Sequence, residues 1–416
     1  MARGARGNYH EPVFVENGPV SRFLAAQNWF RLGVLTLAAL FLGKTAWDHT
    51  WALLRHQPLG IDFLPMWAGA RVAFFEPERL YDFVGLTHLV HPLAAPFHGL
   101  RPFVYPPPAL IAFAPFAMAP FHLANLIWTA IGALVLVWTM AYRLTAHRVL
   151  LLVVMLLTPP SVLVMVTGQV TFLIAALTVL GLVSLKDRPW LAGALLGVAG
   201  SIKPQAMVLL PVALIAVWNW RALMGAALAA TAITAASLSL FGSEAWIEWL
   251  AAMPRFEHFV MDQPALTRGM ITPTSLGMWM GLGPDALWSL RILVAVAALA
   301  MVWFVFRRTE SLPRRLAALL GGALFVTPYA MHYDAALLAP AVALLLARPA
   351  GVGGWILALA AGALLSCAGI PHWGAVAVTA VIPLVALGGE SRAPDRFLND
   401  LVVLSTAVFR RSRVPA

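Results

Sequence analysis

The chain is written as long apolar runs separated by short polar breaks. Runs occupy residues 28–48, 122–142, 149–166, 170–185, 190–202, 205–219, 222–241, 287–306, 316–330, 335–347, 353–369 and 371–388. Most approach the roughly 20 residues that a helix needs to cross about 30 Å of hydrocarbon. Gly and Pro recur inside them, which membrane helices tolerate because their neighbours satisfy the freed backbone groups. A spanning β-barrel would show short segments of strict alternation instead. The pattern predicts an all-α, polytopic membrane protein with about 10–12 transmembrane helices. Two segments, 51–121 and 242–286, are too long and too mixed to be connectors, and long structured loops are usually functional.

Composition strengthens this reading. The chain is 61% hydrophobic and only 11% charged, with a mean hydropathy of +0.82. A soluble core cannot hide that much apolar surface. The membrane domain is expected over 28–388, with a short segment 1–27 before it and a basic tail 389–416 after it. No small-residue cleavage site follows the first run, which reads as a retained span rather than a removed signal.

Charge then sets an orientation. Lys and Arg number 28 against 18 Asp and Glu, for a net charge of +10. With the N-terminus inside, the turns carrying Arg143, Lys186, Arg221, Arg307, Arg314 and Arg348 are all cytoplasmic, as is the tail. That is what the positive-inside rule favours, and it places both long segments and the ends of the broken helices outside. The basic balance thus reports topology, with no basic stripe interleaved with exposed aromatics to bind nucleic acid. The single cysteine, Cys367, forms no internal disulfide. The sequence holds no Gly-rich loop with a phosphate-binding lysine, no HExxH and no Cys/His metal set. A cytoplasmic nucleotide-sugar site is therefore not expected, and a substrate drawn from the lipid phase fits better.

Three outer clusters carry candidate chemistry. In GIDFLPMWAGARVAFFEPERLYD, Asp62 precedes a helix-like stretch that could lie along the membrane surface. It reads either as a helix N-cap or as a carboxylate base walled by Phe63, Met66 and Trp67. Arg71 on the same stretch could meet an anion. Lys203, in the break Lys203-Pro204-Gln205, sits at the outer tip of two abbreviated runs. It is either a snorkelling lysine or an ammonium holding a phosphate at headgroup level. In TPYAMHYD, His332, Tyr333 and Asp334 read as an interfacial belt or as phosphate-binding and proton-transfer groups. His258 and Arg268 in the second long segment are further candidates for substrate contact.

The order DFLPMWAGARVAF, LYD, YPPPALIAFAPFAMAP, TGQVTFLIAALTVL, WLAGALLGVAGSIKPQAMVLLP and HYDAALLAPAVALL resembles glycosyltransferase family 87. The resemblance covers about residues 30–350. It implies the GT-C membrane fold and a glycosyltransferase using a polyprenyl-phosphate-sugar donor, most often mannose, with a glycolipid or glycan acceptor. It also implies that Asp62 takes the acceptor proton, that Lys203 holds the donor phosphate and that His332 assists. Tyr105 and Gln169 fall in its motifs without assigned roles. Cationic side chains would then serve the leaving phosphate, so no cofactor and no obligatory metal are expected. The implied setting is the inner membrane with both termini cytoplasmic and the site outside. A transporter or flippase of lipid-linked sugars is the competing reading, although it would tend to place charges at the bilayer midplane and to show internal repeats. The oligomeric state is left open by the sequence.

Overall fold

The structure is a computed structural model that describes residues 19–96, 99–144, 147–349, 351–368, 370 and 373–388. The first residues of the expected N-terminal segment, up to 18, and the basic tail 389–416 lie outside the described residues. The chain is 81% helical and, among the described residues, contains no strand. It is an all-α polytopic membrane protein.

Over the described residues, each apolar run folds largely as helix. In chain order the helices are α1 Pro19–Leu54, α2 Phe63–Phe75, α3 Phe83–Ala94, α4 Pro107–Phe113, α5 Phe121–Ala141, α6 Arg148–Leu157 and α7 Pro159–Thr167. Then come α8 Thr171–Ser184, α9 Pro189–Ile202, α10 Leu210–Ala216, α11 Trp220–Met261, α12 Pro264–Arg268 and α13 Pro273–Trp279. The last are α14 Pro284–Arg308, α15 Leu312–Leu316, α16 Gly322–Val326, α17 Ala339–Ala347, α18 Gly351–Cys367 and α19 Trp373–Leu387. Proline opens many of them, because its missing N–H is one that the first turn leaves unpaired anyway.

The 10–12 helices expected from the runs differ widely in length. Among the described residues, four helices are long and apolar enough to cross a bilayer: Asn28–Leu54 within α1, α5, α11 and α14. α6 and α7, bent by 69° at Thr158, make a fifth if taken as one span. The other apolar segments are 10–17 residues long. The reason lies in the breaks. Helices end at the polar breaks that bound the runs, at Lys203-Pro204, Asn219 and Met331–Asp334, and Thr158 adds a break inside the run 149–166.

The two long segments are also more regular than expected. Residues 51–121 fold as α2, α3, α4 and short 3-10 turns around an aromatic cluster. Phe63 stacks on Trp128 with ring centres 5.6 Å apart, and Phe113 meets Trp128 edge-on at 5.2 Å. α2 is largely enclosed by the protein: Phe63, Leu64, Met66, Ala68, Ala70 and Val72 are all buried. Its apolar residues point in every direction, so it is driven inward rather than to an interface. The segment 242–286 is mostly helix. α11 runs on through residues 243–261, broken only at Gly242, whose φ of 75° and ψ of 169° no helix accommodates. The apolar run 222–241 ends at this glycine, and residues 243–261 form a charge-bearing helical stretch rather than a loop.

Close packing fixes the centre. α9 runs along α11, and a Cβ on Gly193 would lie 1.9 Å from the Ala222 carbonyl oxygen. Small residues four apart let membrane helices approach to backbone contact. At one end of the bundle, polar side chains tie helix C-termini together. Arg307 donates to the Ala216 carbonyl at 3.4 Å, Arg314 to Ala386 at 3.0 Å and Arg315 to Thr309 at 2.8 Å. Asn219 donates to Leu185 at 2.9 Å. These satisfy carbonyls that a helix end leaves without partners.

Candidate active site

Asp62 stands at the entry to α2, but its carboxylate makes no capping bond to that helix. The turn holding it is stitched instead to the end of α7. The Gly60 N–H donates to Val166 O at 2.8 Å and the Asp62 N–H to Thr167 O at 2.9 Å. α7 itself ends on Gly168, left-handed at φ 78°. A Cβ there would sit 2.6 Å from Asn125 Oδ1, and one on Gly60 2.4 Å from Asn125 Cγ. The Trp128 indole donates to the Gly168 carbonyl at 3.0 Å. This left-handed turn swings Gln169 inward toward Asp62.

The result is a hydrogen-bonded chain of side chains. Gln169 Nε2 donates to Asp62 Oδ2 at 3.1 Å, and Tyr105 donates its hydroxyl to Gln169 Oε1 at 3.2 Å. Arg101 Nη1 reaches Asp62 Oδ1 at 3.3 Å, with side chains only 17% and 20% exposed. Arg101 is itself pinned by its backbone N–H, which donates to Thr87 Oγ1 at 2.8 Å. Tyr81 donates its hydroxyl to the Tyr105 carbonyl at 2.9 Å.

A second cluster forms where α9 ends. Lys203 is ion-paired with Asp334, each side chain 7% exposed. Its ammonium also lies 5.7 Å from the centre of the Tyr333 ring. Asp334 Oδ2 accepts the Met331 N–H at 3.0 Å, which shapes the start of the 3-10 helix His332–Leu338. His332 is held from the other side. Its backbone N–H donates to Gly269 O at 3.0 Å, and its Nδ1 lies 3.1 Å from the same oxygen. A carbonyl only accepts, so Nδ1 carries a proton where it meets Gly269, and Nε2 is the ring nitrogen left for a further partner.

The two clusters share one neighbourhood. α7 and α8 both pack on the 3-10 helix that carries His332 and Asp334. The Tyr105 hydroxyl is pushed well above the usual tyrosine range by burial, then by the charges of Asp334 and Asp62. Burial also lowers the Arg101 guanidinium, an effect that Asp62 opposes. Two carboxylates, an amide, two phenols, a histidine and two cations therefore meet where five stretches of chain converge.

The other expected residues fare differently. Arg71 is exposed on α2 and engaged elsewhere, donating to Ala117 O at 3.0 Å and lying 5.0 Å over the Trp67 ring. His258 and Arg268 are exposed on α11 and α12. Arg268 lies beside Gly269, but among the described residues neither is bonded to the two clusters. Arg101 is the residue that sequence reasoning missed. It lies in an ordinary-looking LRPF stretch, and nothing local marks it as the partner of Asp62. Asn125, whose amide packs against both positive-φ glycines, was missed for the same reason.

No curated protein and no solved structure matches the chain. The model for glycosyltransferase family 87 matches residues 103–328. That stretch contains Tyr105, Gln169 and Lys203, while Asp62 and Arg101 precede it and His332 and Asp334 follow it. More than half of the 416 residues are matched, so the chain belongs to glycosyltransferase family 87.

Proposed function

We propose that this membrane glycosyltransferase moves a sugar, most consistently mannose, from a polyprenyl-phosphate donor to a glycolipid or glycan acceptor at the extracytoplasmic face. Asp62 is the general base. The observation that carries this reading is the carboxylate that leaves its own helix uncapped and joins a polar cluster beside a buried lysine.

The reaction is a direct displacement with inversion at the anomeric carbon. An acceptor hydroxyl gives its proton to Asp62 as its oxygen bonds to the sugar, and the bond from that carbon to the phosphate oxygen breaks on the opposite face. Each Asp62 oxygen has a lone pair left after its bonds to Arg101 and Gln169. The donor phosphodiester leaves as a polyprenyl monoester that carries an additional negative charge. Lys203, with N–H groups beyond the one given to Asp334, and His332 would stabilise that charge as it develops. The cationic groups do this without a metal ion in the proposed scheme. The broken helix ends at Gly168 and Lys203 suit a lipid-borne head group, because irregular backbone at membrane depth lines a cavity or is buried in protein. The basic turns favour cytoplasmic termini in the plasma membrane.

The test is transfer in reconstituted liposomes. Wild type and Asp62→Asn protein receive a panel of polyprenyl-phosphate sugars and a membrane-lipid extract, with chelator present. Wild type is expected to form glycolipid from one donor, and Asp62→Asn to bind that donor without turnover. Full activity in Asp62→Asn overturns the assignment of the base. Movement of a labelled lipid-linked sugar across the bilayer, with no donor consumed, would put a transporter in its place.

A further inference from the structure

The geometry points to Gln169 and Arg101 as a two-point clamp that positions the Asp62 carboxylate, with Tyr105 fixing the orientation of the Gln169 amide. The role deepens the reading of Asp62 as base and rests on it for its catalytic meaning, though not for its physical existence. Each carboxylate oxygen has its own donor: Oδ1 faces Arg101 at 3.3 Å and Oδ2 faces Gln169 at 3.1 Å. A carboxylate held at one oxygen can still rotate about its Cβ–Cγ bond. Held at both, it presents the remaining lone pairs in one direction.

The amide has a defined sense. With Nε2 toward Asp62, its oxygen accepts from Tyr105 at 3.2 Å. The flipped amide would turn Oε1 toward the carboxylate and set two acceptors face to face. Gln169 is only 8% exposed, so water does not easily relieve such a clash. Tyr105 stands behind the amide, and its own backbone is held by Tyr81. Arg101 is anchored through Thr87 on α3. The clamp is therefore assembled from three parts of the chain around the turn that carries Asp62. None of its members has to touch the sugar. Gln169 and Arg101 are positioning residues, and Tyr105 acts through Gln169.

The test reads the carboxylate directly. Protein labelled with 13C-aspartate is reconstituted without substrate, and the Asp62 carboxylate stretch is isolated as the infrared difference between wild type and Asp62→Asn. Gln169→Leu and Arg101→Gln are expected to move that band. Tyr105→Phe, which removes one hydroxyl with no contact to Asp62, is expected to move it in the same direction as Gln169→Leu and by less. Arg101→Lys restores part of the wild-type position. In the transfer assay, Gln169→Leu lowers kcat roughly tenfold to a hundredfold, the loss of one hydrogen bond to a charged group, with donor KM unchanged.

A band that stays in place in Gln169→Leu and Tyr105→Phe overturns the clamp. So does a rise in KM at constant kcat, which would make Gln169 a substrate contact. If Gln169→Leu does not fold, Tyr105→Phe still decides by its band. The band needs no turnover, so a shift without any transfer would retain the clamp and remove Asp62 as base.

Discussion

The Lys203–Asp334 pair offers the most quantitative check on the site. Both side chains are 7% exposed, so replacing one partner leaves a buried charge with no counter-ion. Breaking such a pair costs about 3–5 kcal/mol, whereas replacing both members with apolar residues of similar size is often about neutral. Lys203→Met and Asp334→Leu should therefore each destabilise the fold by about 3–5 kcal/mol. The double variant should lie within about 1–2 kcal/mol of wild type, far from the sum of the singles. Unfolding in SDS mixed micelles, followed by tryptophan fluorescence, measures all four proteins under one condition. Single variants as stable as wild type, or a double variant equal to their sum, would show that the pair is open to water and refute the reasoning. The double variant also separates folding from function. It should fold and still fail to transfer sugar, because the ammonium that would hold the donor phosphate is gone. Transfer at the wild-type rate would remove Lys203 from the donor site.

Packing and electrostatics set further expected outcomes. Gly193→Leu drives a side chain into the Ala222 carbonyl and should abolish recovery of monodisperse protein on size-exclusion chromatography. Gly33→Ala, with nothing within 4 Å of the added Cβ, should leave recovery intact and gain a few tenths to about 1 kcal/mol of helix stability. Arg71→Ala should leave transfer unchanged and cost about 1 kcal/mol, the sum of an exposed cation–π contact and one carbonyl bond. Tyr81 and Tyr105 are both raised by burial, so ultraviolet titration should find them silent at about pH 10, where an ordinary tyrosine ionises. Because their folded values are raised, the stability they contribute is complete below about pH 10 and is lost as pH rises beyond it.

The apolar runs made the helices legible because burial in lipid or protein leaves the same compositional trace. Their lengths were less legible, since Thr158 bends a stretch, 149–166, that hydropathy reads as unbroken. That the region 243–261 is helical was hard to read for the opposite reason. Glu244, Glu248, Arg255 and Glu257 gave it the look of a loop, although the apolar residues between them keep a helical spacing. Asp62, Gln169, Lys203 and His332 stood out because each sits at a polar break in an apolar setting. Arg101 did not, because its meaning lies in a contact with a residue 39 positions away. No local pattern encodes such a pairing. Arg71 stood out for the same reason as the residues of the two clusters, but it found partners in Ala117 and Trp67.

The arginines that close the helix ends carry two kinds of information at different times. Under the positive-inside rule, Arg307, Arg314 and Arg315 would contribute during insertion to the charge bias that selects one orientation. In the finished protein each donates to a main-chain carbonyl, at 3.4, 3.0 and 2.8 Å. The signal that would choose the topology would thus be spent in holding it. A helical hairpin that tried to reverse after assembly would have to strip these guanidinium groups from their carbonyls and carry them through hydrocarbon. An orientation chosen in this way would be a decision made once, and its sidedness would outlast the membrane potential and the machinery that first imposed it.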